Sequence, residues 1–196
     1  MDKNYQAIVI GTSAGGLDAI SKLFHQLPVN YPIPIIVIQH RAKDQRELLE
    51  EVLQSKCKIV IKQADEKEMI KGGFAYIAPP GYHLLIEQDR SFSLSSDDLV
   101  SFSKPSIDVL FETAAEVFKE NLIGLILTGA NSDGAAGIMA IKKFKGLTIA
   151  QSPKEAQYPY MPQSSIETGA VEHVWTLKEI QEFLLKLPQF DSHENK

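Results

Sequence analysis

Ser13 is the first residue of this sequence whose type and surroundings suggest chemistry. It lies in the segment GTSAG at residues 11–15, directly after a short apolar run at residues 7–10. The segment matches the pattern G-x-S-x-G of a nucleophile elbow, a sharp strand-to-helix turn that exposes a serine hydroxyl. The amide of Ala14, at the start of the following helix, would then be placed to stabilise an oxyanion. The pattern therefore indicates an acyl-transfer nucleophile.

Other interpretations of the same turn compete with the nucleophile. A dinucleotide-binding turn requires G-x-G-x-x-G, and Ser13 stands where its second glycine belongs. A P-loop requires Gly-Lys-Ser/Thr, which does not follow. In the remaining alternative Ser13 only caps the first helix, as serine often does, and the turn at residues 11–16 holds an anionic group in a non-catalytic binding or signalling module. The turn alone does not decide between a nucleophile and a cap.

A serine hydroxyl is a weak nucleophile until a base takes its proton, and the base is usually a histidine oriented by a carboxylate. His40 directly follows a second apolar run, one strand–helix–strand unit after Ser13. Asp133 lies in a loop of small residues after a later apolar run, where it can equally cap the helix that follows. Ligand sites of open parallel sheets form outside the carboxyl ends of the strands. We therefore predict that these three side chains meet at one edge of a sheet.

Other aspartates are weaker candidates for the orienting carboxylate. Asp65 and Asp89 lie in a region of short strands, and Asp108 lies on a helix. The order Ser…His…Asp also differs from the Ser…Asp…His order of α/β-hydrolases, which predicts a different fold family.

The elements that must position these residues alternate along most of the chain. Apolar runs at residues 7–10, 34–38, 122–127 and 147–150 predict buried strands, and amphipathic stretches at residues 16–27, 45–54, 106–119, 135–144 and 177–187 predict helices, with a short helix near residues 164–168. This order predicts an α/β fold with a doubly wound, mostly parallel sheet flanked by helices. Short runs at residues 59–61, 74–78, 83–87 and 91–95, separated by glycine and proline turns, predict an antiparallel hairpin insertion or sheet edge.

Composition is that of an ordinary globular domain. The 196 residues are 44% hydrophobic and 23% charged, which predicts one domain over residues 1–190, followed by a disordered polar tail at residues 191–196. The formal net charge is −5 and the basic residues are scattered, which argues against nucleic acid as a partner because phosphate binding needs a concentrated basic surface.

The chain shows no sign of export or membrane insertion. Its one cysteine, Cys57, cannot form an intramolecular disulfide, which suits a reducing compartment. The first residues lack the apolar core of a signal peptide, and no apolar run approaches the ~20 residues that span a bilayer. We expect a cytoplasmic protein, with neither a cofactor nor a bound metal.

Taken together, several segments resemble the catalytic domain of CheB-type protein-glutamate methylesterases. They occur in the family's order and run through nearly the whole chain. They are IGTSAGG at residues 10–16, QH at 39–40, YIAP at 76–79, KPSIDVLF at 104–111, LTG at 127–129, DGAAG at 133–137, IAQ at 149–151 and MP at 161–162.

The resemblance implies a serine hydrolase that demethylates glutamate γ-methyl esters on the cytoplasmic domains of chemoreceptors and releases methanol. Some members of the family also deamidate receptor glutamines. The implied nucleophile, base and orienting carboxylate fall on Ser13, His40 and Asp133, with Ala14 and Ala130 lining the oxyanion side of the site. The implied partner is a methylated chemoreceptor.

The chain departs from the family pattern at several positions. Ala14 replaces a frequent threonine, Ala130 and Asn131 replace methionine and glycine, and RAKD at residues 41–44 replaces Met-Pro-Pro-Gly. The first three border the predicted site, and the fourth bears on substrate contacts. Typical members also carry an N-terminal receiver domain whose phosphorylation relieves inhibition. Because this sequence starts at the catalytic domain, we expect either a standalone enzyme or a part of a longer protein.

Overall fold

The computed structural model describes residues 4–40 and 49–187 of the chain. Its strands are β1 Ala7–Thr12, β2 Ile35–Gln39, β3 Val60–Gln63, β4 Phe74–Ile77, β5 His83–Ile86, β6 Phe92–Ser95, β7 Leu122–Ile126, β8 Leu147–Gln151 and β9 His173–Trp175. Its helices are α1 Gly16–Phe24, α2 Leu49–Gln54, α3 Ile107–Phe118, α4 Ala135–Lys143, α5 Tyr160–Glu167 and α6 Leu177–Lys186, and a 3-10 turn at Lys119–Asn121 follows α3. The altered segment at residues 41–44 and the predicted tail at residues 191–196 lie outside the described residues.

Seven strands form one parallel sheet in the order β3-β4-β2-β1-β7-β8-β9. The chain builds outward from β1 on the β2 side first and then returns to the other side of β1 with β7, so the direction of winding reverses between β1 and β7. Ligands of open α/β sheets bind outside the carboxyl ends of the strands at such a reversal. The predicted α/β class with a mostly parallel sheet is confirmed.

The middle of the chain divides between two sheets. The hairpin β5–β6 is antiparallel, as predicted, with His83 opposite Ser95. The strands β3 and β4, which were predicted to belong to the same antiparallel region, instead pair in parallel and form one edge of the main sheet. A short apolar run does not encode the direction of its neighbour, because direction is set by the connection that follows it. At the other edge lies β9, a three-residue strand that the sequence did not reveal because it is half-exposed and contains no apolar run.

Helices cover both faces of the main sheet. One core layer joins the sheet to α1, α2 and α6, and the other joins it to α3, α4 and the β5–β6 hairpin. Cys57 belongs to the first layer, where burial raises the pKa of its thiol, so it behaves as a structural rather than a reactive cysteine. Among the described residues, no helix is both long and apolar enough to cross a membrane.

Candidate active site

Ser13 lies in a tight turn between β1 and α1 that is fastened to the loop after β7. Its amide donates to the carbonyl of Thr128 (3.0 Å), and its carbonyl accepts from the amide of Gly16 (2.9 Å). The residue before α1 is Gly15, whose φ of +78° is a left-handed conformation that glycine adopts without strain. The N-cap position is therefore filled by Gly15, with no side chain capping the helix. The alternative in which Ser13 caps α1 is wrong.

The backbone places His40 next to Ser13. Thr12 at the end of β1 is in register with Gln39 at the end of β2, and the amide of His40 donates to the carbonyl of Thr12 (3.0 Å). The Gln39 side chain ties the two strand ends together, because its Nε2 donates to the carbonyls of both Ser13 (2.8 Å) and His40 (2.9 Å).

Gln39 also explains a glycine of the motif. A Cβ on Gly16 would lie 2.0 Å from Gln39 Oε1 and 2.5 Å from Thr12 Oγ1. A side chain at position 16 would therefore clash with the Gln39 side-chain amide, so this position requires glycine. Sequence reasoning assigned Gln39 no role, although its position at the end of the second apolar run was visible.

His40 and Asp133 are joined by a hydrogen bond of 2.8 Å between Nε2 and Oδ2. The His40 side chain is 12% exposed and that of Asp133 is fully buried. The carboxylate accepts three further hydrogen bonds, from Ser106 Oγ (2.9 Å) and from the amides of Ile107 (2.8 Å) and Asp108 (3.1 Å). Burial by itself would favour the protonated acid, but the hydrogen bonds from His40 and the two amides outweigh it and lower the pKa of Asp133.

The four donors around Asp133 fix the proton on His40. An ionised carboxylate has no proton to give, so the His40 nitrogen that faces it carries the hydrogen. In the neutral imidazole the proton is thus on Nε2, and Nδ1 is left with the lone pair of a base.

Asp133 caps a helix, but a different one from the helix predicted. The N-cap residue of α4 is Gly134, whereas the Asp133 carboxylate accepts from the first two amides of α3. Asp108 does the reverse, since its Oδ1 accepts from the amides of Gly134 (2.9 Å) and Gly137 (2.8 Å) at the start of α4. The start of α3 is therefore capped by Asp133, from the loop before α4, and the start of α4 is capped by Asp108, from α3.

Asp108 was set aside in the sequence because it lies on a helix, yet it is a supporting residue of the site. Burial, and to a lesser extent the nearby charge of Asp133, raise the pKa of Asp108 to about 6 against the opposing effect of its two amide donors. The two carboxylates thus carry different charges in mildly acidic solution, which is typical of neighbouring acids in functional sites.

The other ring nitrogen of His40 faces Asn131. Its Nδ1 lies 3.3 Å from Asn131 Nδ2, which is also 3.4 Å from Ser103 Oγ. Among the described residues, no hydrogen bond joins the Ser13 hydroxyl to His40. The structure therefore joins two of the three predicted side chains and places the third at the neighbouring strand end.

Ala14 and Ala130 lie on the two loops that frame this pair. The carbonyl of Ala14 accepts from Thr128 Oγ1 (2.9 Å), and within the described part of the chain no hydrogen bond uses the Ala14 amide as a donor. Ala130 is exposed in the loop after β7, between Gly129 and Asn131. A free amide at the start of a helix is suited to receive negative charge. No group of three or more His, Cys, Asp or Glu side chains in residues 4–40 and 49–187 is arranged to hold a metal ion.

Comparison with known proteins gives one consistent result. A family model described as CheB methylesterase matches residues 8–184. The chain is 51% identical over 187 residues to the putative protein-glutamate methylesterase/protein-glutamine glutaminase of Leptospira interrogans, covering 95% of this chain and 96% of that protein. It is 34% identical to the protein-glutamate methylesterase/protein-glutamine glutaminase of Thermotoga maritima, covering 92% of this chain and 53% of that one. The crystal structure of the Thermotoga maritima CheB methylesterase catalytic domain matches with a TM-score of 0.89 at 33% identity, over 93% of this chain and 98% of that domain.

Proposed function

The chain belongs to the CheB methylesterase family, and we propose that Ser13, His40 and Asp133 are the catalytic triad with which it hydrolyses glutamate γ-methyl esters. The observation that carries the assignment is the 2.8 Å hydrogen bond between His40 and the buried Asp133, at the end of a strand whose neighbour leads into Ser13. A non-catalytic anion-binding module would need only the turn at residues 11–16. It would have no use for a histidine oriented by a buried carboxylate.

The first half of the reaction forms an acyl-enzyme. His40 Nδ1 takes the hydroxyl proton of Ser13 while Oγ bonds to the ester carbonyl carbon. Asp133 stabilises the imidazolium that results, because its hydrogen bond to Nε2–H then joins two opposite charges. The tetrahedral intermediate then collapses, the C–O bond to the methoxy group breaks, and the proton on Nδ1 leaves with methanol.

The second half releases glutamate. A water molecule gives a proton to Nδ1 and attacks the acyl carbon, and the bond to Ser13 Oγ breaks as the serine regains its proton. A receptor glutamine would follow the same route with ammonia as the leaving group, so deamidation needs no further residue.

The oxyanion of both intermediates is assigned to the Ala14 amide. This amide has no other acceptor among the described residues and lies at the positive end of α1. Ala130 lines the opposite loop, where its small side chain leaves room for the substrate backbone.

The proposed partner is a methylated chemoreceptor, and the proposed compartment is the cytoplasm. A buried, unpaired Cys57 suits a reducing environment. The net charge of −5 gives no support to a nucleic-acid partner.

The test is release of methanol from a methylated receptor fragment, with release of ammonia from its glutamine form measured in parallel. Ser13→Ala should lower kcat by about 10³-fold or more, because removal of a nucleophile leaves only binding and oxyanion stabilisation. Ser21→Ala is the matched control: it removes a hydroxyl from α1 whose one hydrogen bond within the described residues is to the carbonyl of Leu17 (2.7 Å). It should keep the parental rate. Unchanged methanol release by Ser13→Ala would reject the nucleophile.

A further inference from the structure

The inference concerns Asn131 and rests on the proposed function of His40 as a base. His40 has a single nitrogen available for proton transfer, and the Asn131 side-chain amide lies against it. The distance from Asn131 Nδ2 to His40 Nδ1 is 3.3 Å.

The orientation of the Asn131 amide is fixed by its other partners. Its Oδ1 accepts from the amide of Asp133 (3.3 Å), which can only donate. Its Nδ2 must therefore point the other way, toward His40 and toward Ser103 Oγ (3.4 Å). A flipped amide would set two N–H groups against each other at Asp133.

The contact uses the lone pair that catalysis needs. With the Nε2 proton held by Asp133, His40 Nδ1 has one in-plane lone pair and accepts one good hydrogen bond. Ser13 can transfer its proton only to that lone pair. Once Nδ1 is protonated, moreover, its N–H would point at the N–H of Asn131, so the amide has to move away during each turnover.

We propose that Asn131 is a positioning residue that masks the base nitrogen of His40 in the resting enzyme and is displaced when substrate brings Ser13 into line. Displacement is easy: the contact is at the long end of hydrogen-bond distances, and Nδ2 keeps Ser103 Oγ as an acceptor. The mask therefore slows acylation moderately rather than abolishing it.

The experiment measures how fast a small p-nitrophenyl ester acylates Ser13 with release of p-nitrophenolate, which needs no receptor. Asn131→Gly removes the mask and should speed acylation about three- to tenfold, as expected for one neutral hydrogen bond. Asn131→Asp keeps an acceptor for the Asp133 amide but offers an acceptor to Nδ1 as well. It should hold a proton there and slow acylation by a similar factor. Ser21→Ala, whose hydroxyl bonds to the carbonyl of Leu17 and makes no hydrogen bond to Asn131 or His40 among the described residues, should change the rate less than twofold.

If Asn131 only supports the fold and does not mask His40, the acylation rates follow a different pattern. Both substitutions would then slow acylation in proportion to the stability they cost, measured by urea unfolding. The ¹⁵N spectrum of the His40 ring supplies a second readout: the parent should carry its proton on Nε2 alone, and Asn131→Asp should carry one on each nitrogen. A parent proton on Nδ1, or slower acylation in Asn131→Gly, would overturn the mask.

The two proposals fail separately. If the p-nitrophenyl ester acylates Ser13→Ala as fast as the parent, the nucleophile assignment fails and the mask fails with it. If acylation of the parent depends on Ser13 and Asn131→Gly is no faster, the mask alone is wrong.

Discussion

Asp133 determines the tautomer of His40, because the groups that hydrogen-bond to its carboxylate are donors. His40, Ser106 and the amides of Ile107 and Asp108 converge on its two oxygens inside the protein. Ionisation of a buried carboxylate is tolerated only with such a set of hydrogen bonds. The same hydrogen bonds keep Asp133 ionised, orient the His40 ring and leave the lone pair on His40 Nδ1.

Asp133→Asn should damage both stability and catalysis. The amide keeps one acceptor and turns an N–H toward donors that lose their partner. The free energy of unfolding should fall by about 2–3 kcal/mol, and kcat should fall by about 10⁴-fold, because an amide that donates to Nε2 would stabilise the wrong tautomer. Urea unfolding and methanol release measure the two effects. Asp97→Asn, at an exposed position, is the control and should change neither; a kcat within tenfold of the parent would argue against Asp133 as the orienter.

The positions of the three proposed triad residues could be predicted because each follows an apolar run, and parallel strands deliver their carboxyl ends to one edge. The contacts among them could not. Three of the four donors on Asp133 come from the start of α3, which lies 25 to 27 residues earlier in the sequence. The Asn131 contact depends on a side-chain rotamer. Spacing in a sequence carries no information on either.

At the scale of elements, the starts of α3 and α4 are held together by exchanged carboxylates. Each carboxyl group accepts from amides at the positive end of the other helix's dipole, which favours a negative charge there; for Asp108 burial outweighs this effect. The sequence indicated that an aspartate precedes α4, but a local capping rule assigned it to α4 itself. Which helix a carboxylate caps is decided by how the helices pack on the sheet, which is a long-range property.

Asp108 should make stability depend on pH in the opposite sense to Asp133. Its pKa is about 6 in the folded chain and near 4 when unfolded, so the folded state binds the proton more tightly. The stability that this provides is full below about pH 4 and is lost as the pH rises through about 6. Asp133, with a lowered pKa, instead contributes stability above about pH 4, which is lost in more acidic solution.

Asp108→Asn isolates the first of these effects. The amide oxygen still accepts from the Gly134 and Gly137 amides, and no charge forms as the pH rises. We expect the variant to lose the decline in stability between about pH 4 and 6, and to be more stable than the parent at pH 7 by on the order of 1–2 kcal/mol. Urea unfolding at several pH values measures it. An unchanged pH dependence would mean that Asp108 does not titrate in this range.

Gly137→Ala tests the close approach of α3 and α4. Alanine is the better helix former by about 1 kcal/mol, but a Cβ at this position would lie 2.5 Å from the Cβ of Phe111. The helices must separate, which should lower the free energy of unfolding by about 1–3 kcal/mol and lower kcat as well, because the exchanged caps hold Asp133. Thermal unfolding and methanol release report the two effects. A variant more stable than the parent would show that α3 and α4 can move apart without loss of packing energy.

At the scale of the whole molecule, the two faces of the main sheet have different roles: one contributes residues to the proposed site, and the other contributes mainly to the apolar core. The α3–α4 face supplies Asp133 and its donors, whereas the face with α1, α2 and α6 forms the larger apolar core cluster. The alternation of apolar runs and amphipathic stretches predicted this layered α/β arrangement. It did not predict the parallel pairing of β3 with β4 or the edge strand β9, because strand direction and short exposed edges leave little trace in hydrophobic patterning.

Tyr31→Phe should therefore lower stability without affecting catalysis. The buried hydroxyl donates to the carbonyl of Leu184 in α6 (2.9 Å), and burial raises its pKa well above the usual value. Loss of this hydrogen bond should cost about 1 kcal/mol. Because Leu184 lies on the face opposite α3 and α4, kcat for methanol release should stay within twofold of the parent at a temperature where both proteins are folded. Tyr31→Phe and Gly137→Ala should be compared at a similar loss of stability. Tyr31→Phe reports the effect of a general loosening of the fold on kcat, and Gly137→Ala reports the effect of displacing Asp133. An equal fall in kcat in both would mean that the two faces of the sheet are coupled and that position relative to the site does not determine the effect.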